Sequence, residues 1–361
     1  MARFNASIEE ILSMSGRKTT YKYTLISKDG VVKIEDAKNI KSFVLSYSSL
    51  TSLKSTLSLE MYDDNQYNFN SDMLKITMII DVRGYHYEFP MGVYMMKSTP
   101  KNGDGSTTNV QVDSRSVNMY SKLLKYEEDT LENDMTIRAG TNAINKVKEM
   151  LDSTTVRIED SGKVTPSDKI YKMGTSKLEV INTILNDAGY NSLSVDGEGY
   201  FYSSEYILPD NREIEIEYTD EINQQIFPEY NDDPNLADCY NVFTGSAIVN
   251  GQCINYRYVN SSNYSPISTV NLGRNKCCDP VEYGQLNSRE ELISKVMKQA
   301  MDNSMKYHKV SFKTFVSPLH GYLNCIHFKN AKVNMKGIET SWTIDSERNE
   351  MDHTIREAVY L

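Results

Sequence analysis

The sequence predicts a mainly β, α+β protein in which two β-rich arms flank a small α/β middle domain. Three observations support this prediction. Apolar and polar residues alternate in short segments towards both ends, capped helices with an apolar face occupy the middle, and another capped helix lies within the second arm. With 361 residues, the chain is long enough for two or three domains that each bury a core.

The first arm, residues 1–116, is predicted to be an antiparallel barrel or sandwich. Strand-like segments at 21–26 and 31–34 flank Lys28-Asp29-Gly30, which is typical of a hairpin turn. Between residues 53 and 61 most apolar residues fall on alternate positions, which indicates a strand with one buried face.

The middle domain is predicted to span residues 117–210. Ser176 and Glu179 have the spacing of a capping box, so a helix is expected to begin there and to end at Gly189. An amphipathic helix is expected over 141–152, and the glycines of Asp196-Gly197-Glu198-Gly199 predict a tight hairpin.

The second arm, residues 211–345, is predicted to be built from strands as well. Asn250-Gly251 between two apolar segments is the strongest hairpin signal in the chain, and residues 232–235 are expected to form a turn or loop. Strict alternation predicts an acidic strand whose carboxylates share one solvated face: Glu213, Glu215 and Glu217.

One long helix is expected to pack on this arm over residues 288–306. Ser288 and Glu291 form another capping box, and the apolar residues that follow recur at helical spacing. Residues 346–361 are predicted to be a polar C-terminal tail.

The composition narrows the function classes. A net charge of −10 argues against sequence-independent DNA binding by the whole chain, because such binding needs clustered Lys and Arg. Its 25 tyrosines favour half-buried strand faces and shared surfaces. Five irregularly spaced cysteines contain no C-x-x-C pair, so reduced thiols are expected. Without an apolar run of about 18 residues, we expect no membrane insertion.

Catalytic and metal sites find little support in the sequence. A zinc reading would use His320, Cys325 and His327, with Cys277 and Cys278 as the nearest further ligands, but ordinary strand residues explain them better. The sequence contains no nucleotide-binding glycine motif and no nucleophile elbow. We therefore expect a non-enzymatic protein with no cofactor, no metal and no catalytic residue.

The order of the elements resembles that of bacteriophage tail and baseplate hub proteins. The resemblance covers most of residues 40–344 as a pattern. It is carried by these motifs: Gly174-Thr175-Ser176 before a helix, Ala188-Gly189-Tyr190 after it, Asp196-Gly197-Glu198-Gly199-Tyr200, Pro209-x-x-Arg212, 247–250, Asn263-Tyr264-Ser265-Pro266, Gly273-Arg274, the helix from Ser288, and Ser317-Pro318. One departure is Asn324, where a hub sequence often has Asp.

The resemblance implies two tail-tube-like β-barrels per chain and a homotrimeric ring around a DNA channel. Three chains would then adapt the six-fold tail tube to a three-fold spike. Implied partners are the tail tube or distal tail protein, the spike or tip protein, the tape-measure protein, and DNA that passes through the lumen without specific binding. The implied location is the virion tail, assembled in the host bacterial cytoplasm.

Three hypotheses about the function remain open from the sequence. The chain is a structural hub, a tail-associated peptidoglycan hydrolase or glycan-binding tip, or a secretion-system spike of related architecture. For the acidic strand at 213–217, the two alternatives are a channel wall that repels DNA phosphates and a face turned to outside solvent.

Overall fold

The structure is a computed structural model that describes residues 8–14, 16–62, 66–68, 70–102, 114–151, 155–220 and 226–357. With 46% strand and 16% helix, it confirms the mainly β, α+β class. The glycines of Asn102-Gly103-Asp104-Gly105 predict an exposed loop tip, and residues 103–113 lie outside the described residues. None of the described helices combines the length and apolar character that a membrane crossing needs.

The described residues of the first arm form one short helix and eight strands. They are α1 (Ile8–Ser13), β1 (Lys18–Ile26), β2 (Val32–Ile34), β3 (Ile40–Ser48), β4 (Ser55–Tyr62), β5 (Met73–Val82), β6 (Tyr85–Ser98), β7 (Lys101–Asn102) and β8 (Ser114–Ser121). Leu57, Leu59 and Met61 are buried on one face of β4, as the alternation predicts.

The middle part packs three helices against two small sheets. Its elements are α2 (Leu123–Glu128), β9 (Met135–Ile137), α3 (Ala143–Leu151), β10 (Val156–Arg157), β11 (Lys169–Tyr171), α4 (Lys177–Asp187), β12 (Ser194–Val195), β13 (Phe201–Tyr202) and a 3₁₀ turn (Pro209–Asn211). The Ser176 hydroxyl accepts from the Glu179 amide at 3.1 Å, which confirms the predicted helix start. At the predicted hairpin, a Cβ on Gly197 would lie 2.1 Å from the Pro90 carbonyl oxygen, so only glycine lets this turn dock on the first arm.

The second arm contributes two separate groups of elements. They are β14 (Ile216–Thr219), β15 (Ile226–Pro234), β16 (Val242–Val249), β17 (Gln252–Val259), α5 (Thr269–Leu272), β18 (Val281–Gln285), α6 (Arg289–Ser304), β19 (His308–Phe315), β20 (Cys325–Lys329), β21 (Asn334–Asp345) and β22 (Glu350–Glu357). Strands β16, β17 and β18 form a small sheet under α6. Their hairpin turns at Asn250 and Gly251, both with positive φ, as the sequence predicts.

The remaining strands of both arms form one 14-stranded sheet. Its order is β15-β19-β22-β21-β3-β4-β8-β6-β5-β1-β2, with β14, β20 and β7 off this path. All its pairs are antiparallel except β14 with β20. The arms meet where β21 pairs with β3, and Trp342 stacks on Tyr47 with ring centroids 5.3 Å apart.

Two expectations for the second arm are wrong. The supposed polar tail contains strand β22, which pairs with both β19 and β21 and buries Met351, His353 and Ile355. The alternation is incomplete in the sequence because the middle buried position is His353, a polar residue. The residues expected as a turn at 232–235 include the end of strand β15.

Strand β15 is held by charge pairs because most of its side chains are exposed. His308 on β19 hydrogen-bonds Asp232 through Nε2 at 2.5 Å and Glu357 on β22 through Nδ1 at 2.7 Å. Lys309 Nζ lies 3.2 Å from the Asp233 carboxylate. An aspartate pair therefore remains in a strand because cations on the neighbouring strand neutralise it.

We predict that replacing Leu45 with Ala weakens the seam between β3 and β21. Leu45 is fully buried opposite Ile344, so the substitution should lower the free energy of unfolding by about 2–5 kcal/mol. Urea unfolding monitored by the fluorescence of Trp342, the single tryptophan, measures the loss. Val44→Ala is the control, since Val44 is 40% exposed and should cost less than about 1 kcal/mol. Equal losses would contradict a core built across the seam.

We predict that the contribution of His308 to stability depends on pH. The hydrogen bond to Glu357, opposed by burial and reinforced by Asp232, raises the pKa of His308 to about 9. A raised histidine pKa stabilises the fold fully below the ordinary value of about 6.5, and the gain is lost as the pH rises through about 9. The difference in unfolding free energy between the native chain and His308→Gln should thus be large at pH 6 and small at pH 10.

The matched control is His86→Gln, because His86 also contacts two carboxylates, Asp81 and Glu88, but is exposed. Its contribution should be small at every pH. A His308 contribution that stays constant from pH 6 to pH 10 would show that the imidazolium does not hold β15.

Candidate functional site

The three predicted acidic residues all lie on the surface, but only part of their segment is a strand. Glu213, Glu215 and Glu217 are exposed, whereas β14 begins at Ile216 and pairs in parallel with β20. Glu213 has no hydrogen-bond or ion-pair partner among the described residues. The other two are bound to neighbouring side chains, so the segment is not a row of three free charges.

Glu215 joins the start of this segment to the turn before β20. It forms an ion pair with Arg212 and accepts from Asn324 Nδ2 at 2.5 Å. The other side of the Asn324 amide, Oδ1, accepts from the Gly321 amide at 2.6 Å. An aspartate at 324 could accept from Gly321 but would repel Glu215, which explains why this chain has Asn at that position.

Glu217 contacts one of the residues considered for zinc. The Nδ1 of His327 lies 2.8 Å from a carboxylate oxygen of Glu217, and its Nε2 lies 2.8 Å from the amide oxygen Oδ1 of Asn334. Cys325 is buried two residues away on the same strand, and burial raises the pKa of its thiol. His320 hydrogen-bonds a different carboxylate, that of Glu339. The two histidines considered for zinc therefore have separate partners.

A buried cluster that the sequence did not suggest lies in the second arm. Glu339 accepts from His320 Nδ1 at 2.6 Å and from His353 Nδ1 at 2.7 Å, and all three side chains are at most 1% exposed. The far nitrogens are bonded too: His320 Nε2 lies 2.7 Å from the Tyr218 hydroxyl, and His353 Nε2 lies 2.8 Å from the Thr314 hydroxyl. We call these five residues the Glu339 network.

Four strands and one loop bring the Glu339 network together. Tyr218 comes from β14, Thr314 from β19, Glu339 from β21 and His353 from β22, while His320 lies in the loop before β20. The pairing of β21 with β22 is irregular between Glu339 and Ser341. This bulge lets Glu339 and its neighbour Thr340 both be buried, against the usual alternation of a strand.

The cluster has three possible metal ligands, whose ligating atoms lie within 4.8 Å of one another. Zinc usually takes four ligands, and every ring nitrogen here already has a hydrogen-bond partner. The Nδ1 to carboxylate distances are those of charge-assisted hydrogen bonds. The observed arrangement therefore fits a network of hydrogen bonds better than a metal centre.

The protonation of the network follows from its surroundings. Burial alone would raise the pKa of Glu339, but attraction and hydrogen bonds from His320 and His353 lower it overall. Burial also lowers the pKa of His353. An ionised Glu339 that accepts from Nδ1–H of a neutral His353 satisfies both directions, and the Thr314 hydroxyl lies 2.8 Å from the Nε2 of His353 and 2.9 Å from the Phe315 carbonyl oxygen. Such a network fixes strand positions and offers no free nucleophile.

Comparisons with solved structures find the same fold in tail proteins. A tail protein from Neisseria meningitidis MC58 matches with a TM-score of 0.65 and 8% identity, over 93% of this chain and 96% of that one. The prophage MuSo2 43 kDa tail protein from Shewanella oneidensis matches with a TM-score of 0.59 and 9% identity, over 93% and 98%.

A third match comes from a secretion system. A component of the E. coli type VI secretion system, described as similar to phage T4 tail proteins, matches with a TM-score of 0.50 and 6% identity, over 95% of this chain and 77% of that one. No protein-family model and no curated protein sequence matches the chain. Almost all of the chain aligns with tail proteins, so its fold is that of phage tail proteins, as the sequence resemblance implied.

Proposed function

We propose that the chain is a non-enzymatic structural hub of a phage tail or phage-tail-like particle. The observation that supports this most is the extent of the likeness, since 93% of this chain aligns with 96% of a tail protein. The described histidines and the buried Glu339 support the same function, because their side chains are hydrogen-bonded within the fold. The histidines bind carboxylates within the fold, and the buried Glu339 network is fully hydrogen-bonded.

The two arms explain how three chains would form a ring with six similar positions. Each chain would contribute two tube-like barrels, and three chains would supply the six positions that continue a six-fold tail tube. The shared sheet would keep the two barrels of a subunit at a fixed distance and angle. Its described end strands, β2 and β15, have unpaired backbone edges, which are suited to pairing with another copy.

The remaining partners follow from this position. One face of the ring would bind the tail tube or distal tail protein and the other the spike or tip protein. The tape-measure protein and DNA would occupy the lumen, and the DNA would pass without specific binding. The assembled ring would belong to the virion tail and would form in the cytoplasm of the host bacterium.

A secretion-system spike is the second candidate, because the E. coli secretion component shares the fold. The two candidates differ in the particle that contains the protein. Recovery of the chain in purified DNA-filled particles supports the tail hub, whereas recovery only with secreted effector proteins supports the spike.

We predict that the purified protein forms a trimer with three times the 41.2 kDa mass of one chain. Mass photometry measures the mass of the assembly, and imaging shows whether it is a ring. The variant Val32→Lys tests whether the end strands take part in the association. Val32 is 51% exposed on edge strand β2, so a charge there should weaken association. Val44→Lys is the control, because Val44 is similarly exposed but lies on an interior strand.

Two results would contradict the hub. One is a monomer at every concentration together with absence of the protein from purified particles. The other is lysis of peptidoglycan in a zymogram, abolished by changing one carboxylate, which would instead identify the hydrolase considered above.

We propose further that Glu213, Glu215 and Glu217 face the channel and repel DNA phosphates. Glu213 is the most direct test, since it has no partner among the described residues and its substitution should not disturb the fold. Particles that carry Glu213→Lys should release DNA more slowly than native particles, most clearly at low salt. Glu132→Lys, an exposed acid of the middle part, is the control and should leave release unchanged. Equal release rates for both variants would assign the three acids to the outer surface.

A further inference from the structure

A groove of about 450 Å³ lies where three parts of the molecule meet. Its walls come from the turn after β3, the segment that follows β13, the C-terminal end of α6, and strands β21 and β22. This position is distinct from the acidic segment and from the buried Glu339 network. It is also accessible from outside, as its exposed rim residues show.

Most charged groups around the groove are neutralised within the fold. Lys298 pairs with Asp302 at 2.7 Å, Arg212 pairs with Glu215, and Glu205 lies 3.6 Å from Lys163. These pairs leave no strong attraction for an outside ligand.

Two cations of the groove are left over. Arg356 on β22 has neither a hydrogen bond nor an ion pair from its side chain to any described residue, and its Nε is shielded from solvent without an acceptor. Lys306, just after α6, is exposed and likewise has no side-chain partner among the described residues. A shielded guanidinium donor without an acceptor destabilises the isolated chain and would be satisfied by an anionic ligand.

The rest of the lining adds apolar and aromatic surface. Leu50 and Ile207 on the rim are 68% and 54% exposed, which is unusual for large aliphatic side chains beside a groove. Tyr202, Tyr206 and Tyr322 line the interior. A small inorganic anion would use the two cations but leave this surface in water.

We propose that the groove binds an acidic peptide segment of a partner protein. A Glu or Asp of the segment pairs with Arg356, whose planar guanidinium matches a carboxylate, while Lys306 adds a second positive charge. An adjacent aliphatic residue of the segment covers Leu50 and Ile207. The inference stands on the groove itself and holds whichever particle contains the chain.

The test uses the full chain and a fluorescein-labelled pentapeptide, Leu-Glu-Leu-Asp-Leu with an amidated C-terminus, in a fluorescence anisotropy titration at low salt. We expect saturable binding that Arg356→Gln weakens by roughly tenfold or more and Lys306→Gln by a smaller factor. Lys332→Gln should bind as the native chain does, since Lys332 is an exposed lysine outside the groove.

A second peptide, with Gln and Asn in place of Glu and Asp, shows whether the carboxylates matter and should bind at least tenfold more weakly. Thermal unfolding checks the variants, and Arg356→Gln should not lower the midpoint because it removes no bond. Equal binding of the two peptides, or an unchanged affinity in Arg356→Gln, would overturn the proposal. So would binding of inorganic phosphate without any binding of the acidic peptide, which would assign the cations to a free anion.

Discussion

The architecture depends on the pairing of β3 with β21, two strands separated by almost the whole chain. Without it, the first arm would lack Val316, Trp342, Ile344 and Met351, which belong to its buried core. The middle part contacts the same seam, since the Tyr47 hydroxyl lies 3.4 Å from the Ser194 hydroxyl. A complete first arm therefore requires that the last strands of the chain reach it during folding. Such long-range pairing forms slowly, because the entropy cost of closing the loop comes before the contacts that stabilise it.

This dependence explains what the sequence could and could not predict. The starts of α4 and α6, the Asn250 turn and the buried face of β4 follow from residues within a few positions of one another. Strand β22 could not be separated from a polar tail, because its central buried residue is His353, which is held by Glu339 and by Thr314 of β19. Likewise, Asp232 and Asp233 suggest a turn until His308 and Lys309 are placed beside them.

The candidate site was less predictable than the fold. The acidic segment at 213–217 was visible by its alternation, but its partners Asn324 and His327 are about 110 positions away. The Glu339 network gave no local signal, since its members come from five separate segments. A network with every polar atom bonded specifies one arrangement of its strands, because any other register would leave a buried charge without partners. Its role is thus to fix the second arm, on which the groove beside Arg356 is built.

The histidines reveal a common principle in this acidic chain. All five lie against carboxylates: His86, His308, His320, His327 and His353. His308 connects Asp232 on β15 with Glu357 on β22, two acids that would otherwise repel one another. His320 and His353 both bind Glu339 and so connect the loop before β20 to β21 and β22. Arg356 and Lys306 differ from this pattern because no acid of the described chain reaches them. Because these two cations line one groove in a chain with a net charge of −10, they support the proposal that another molecule supplies the carboxylate there.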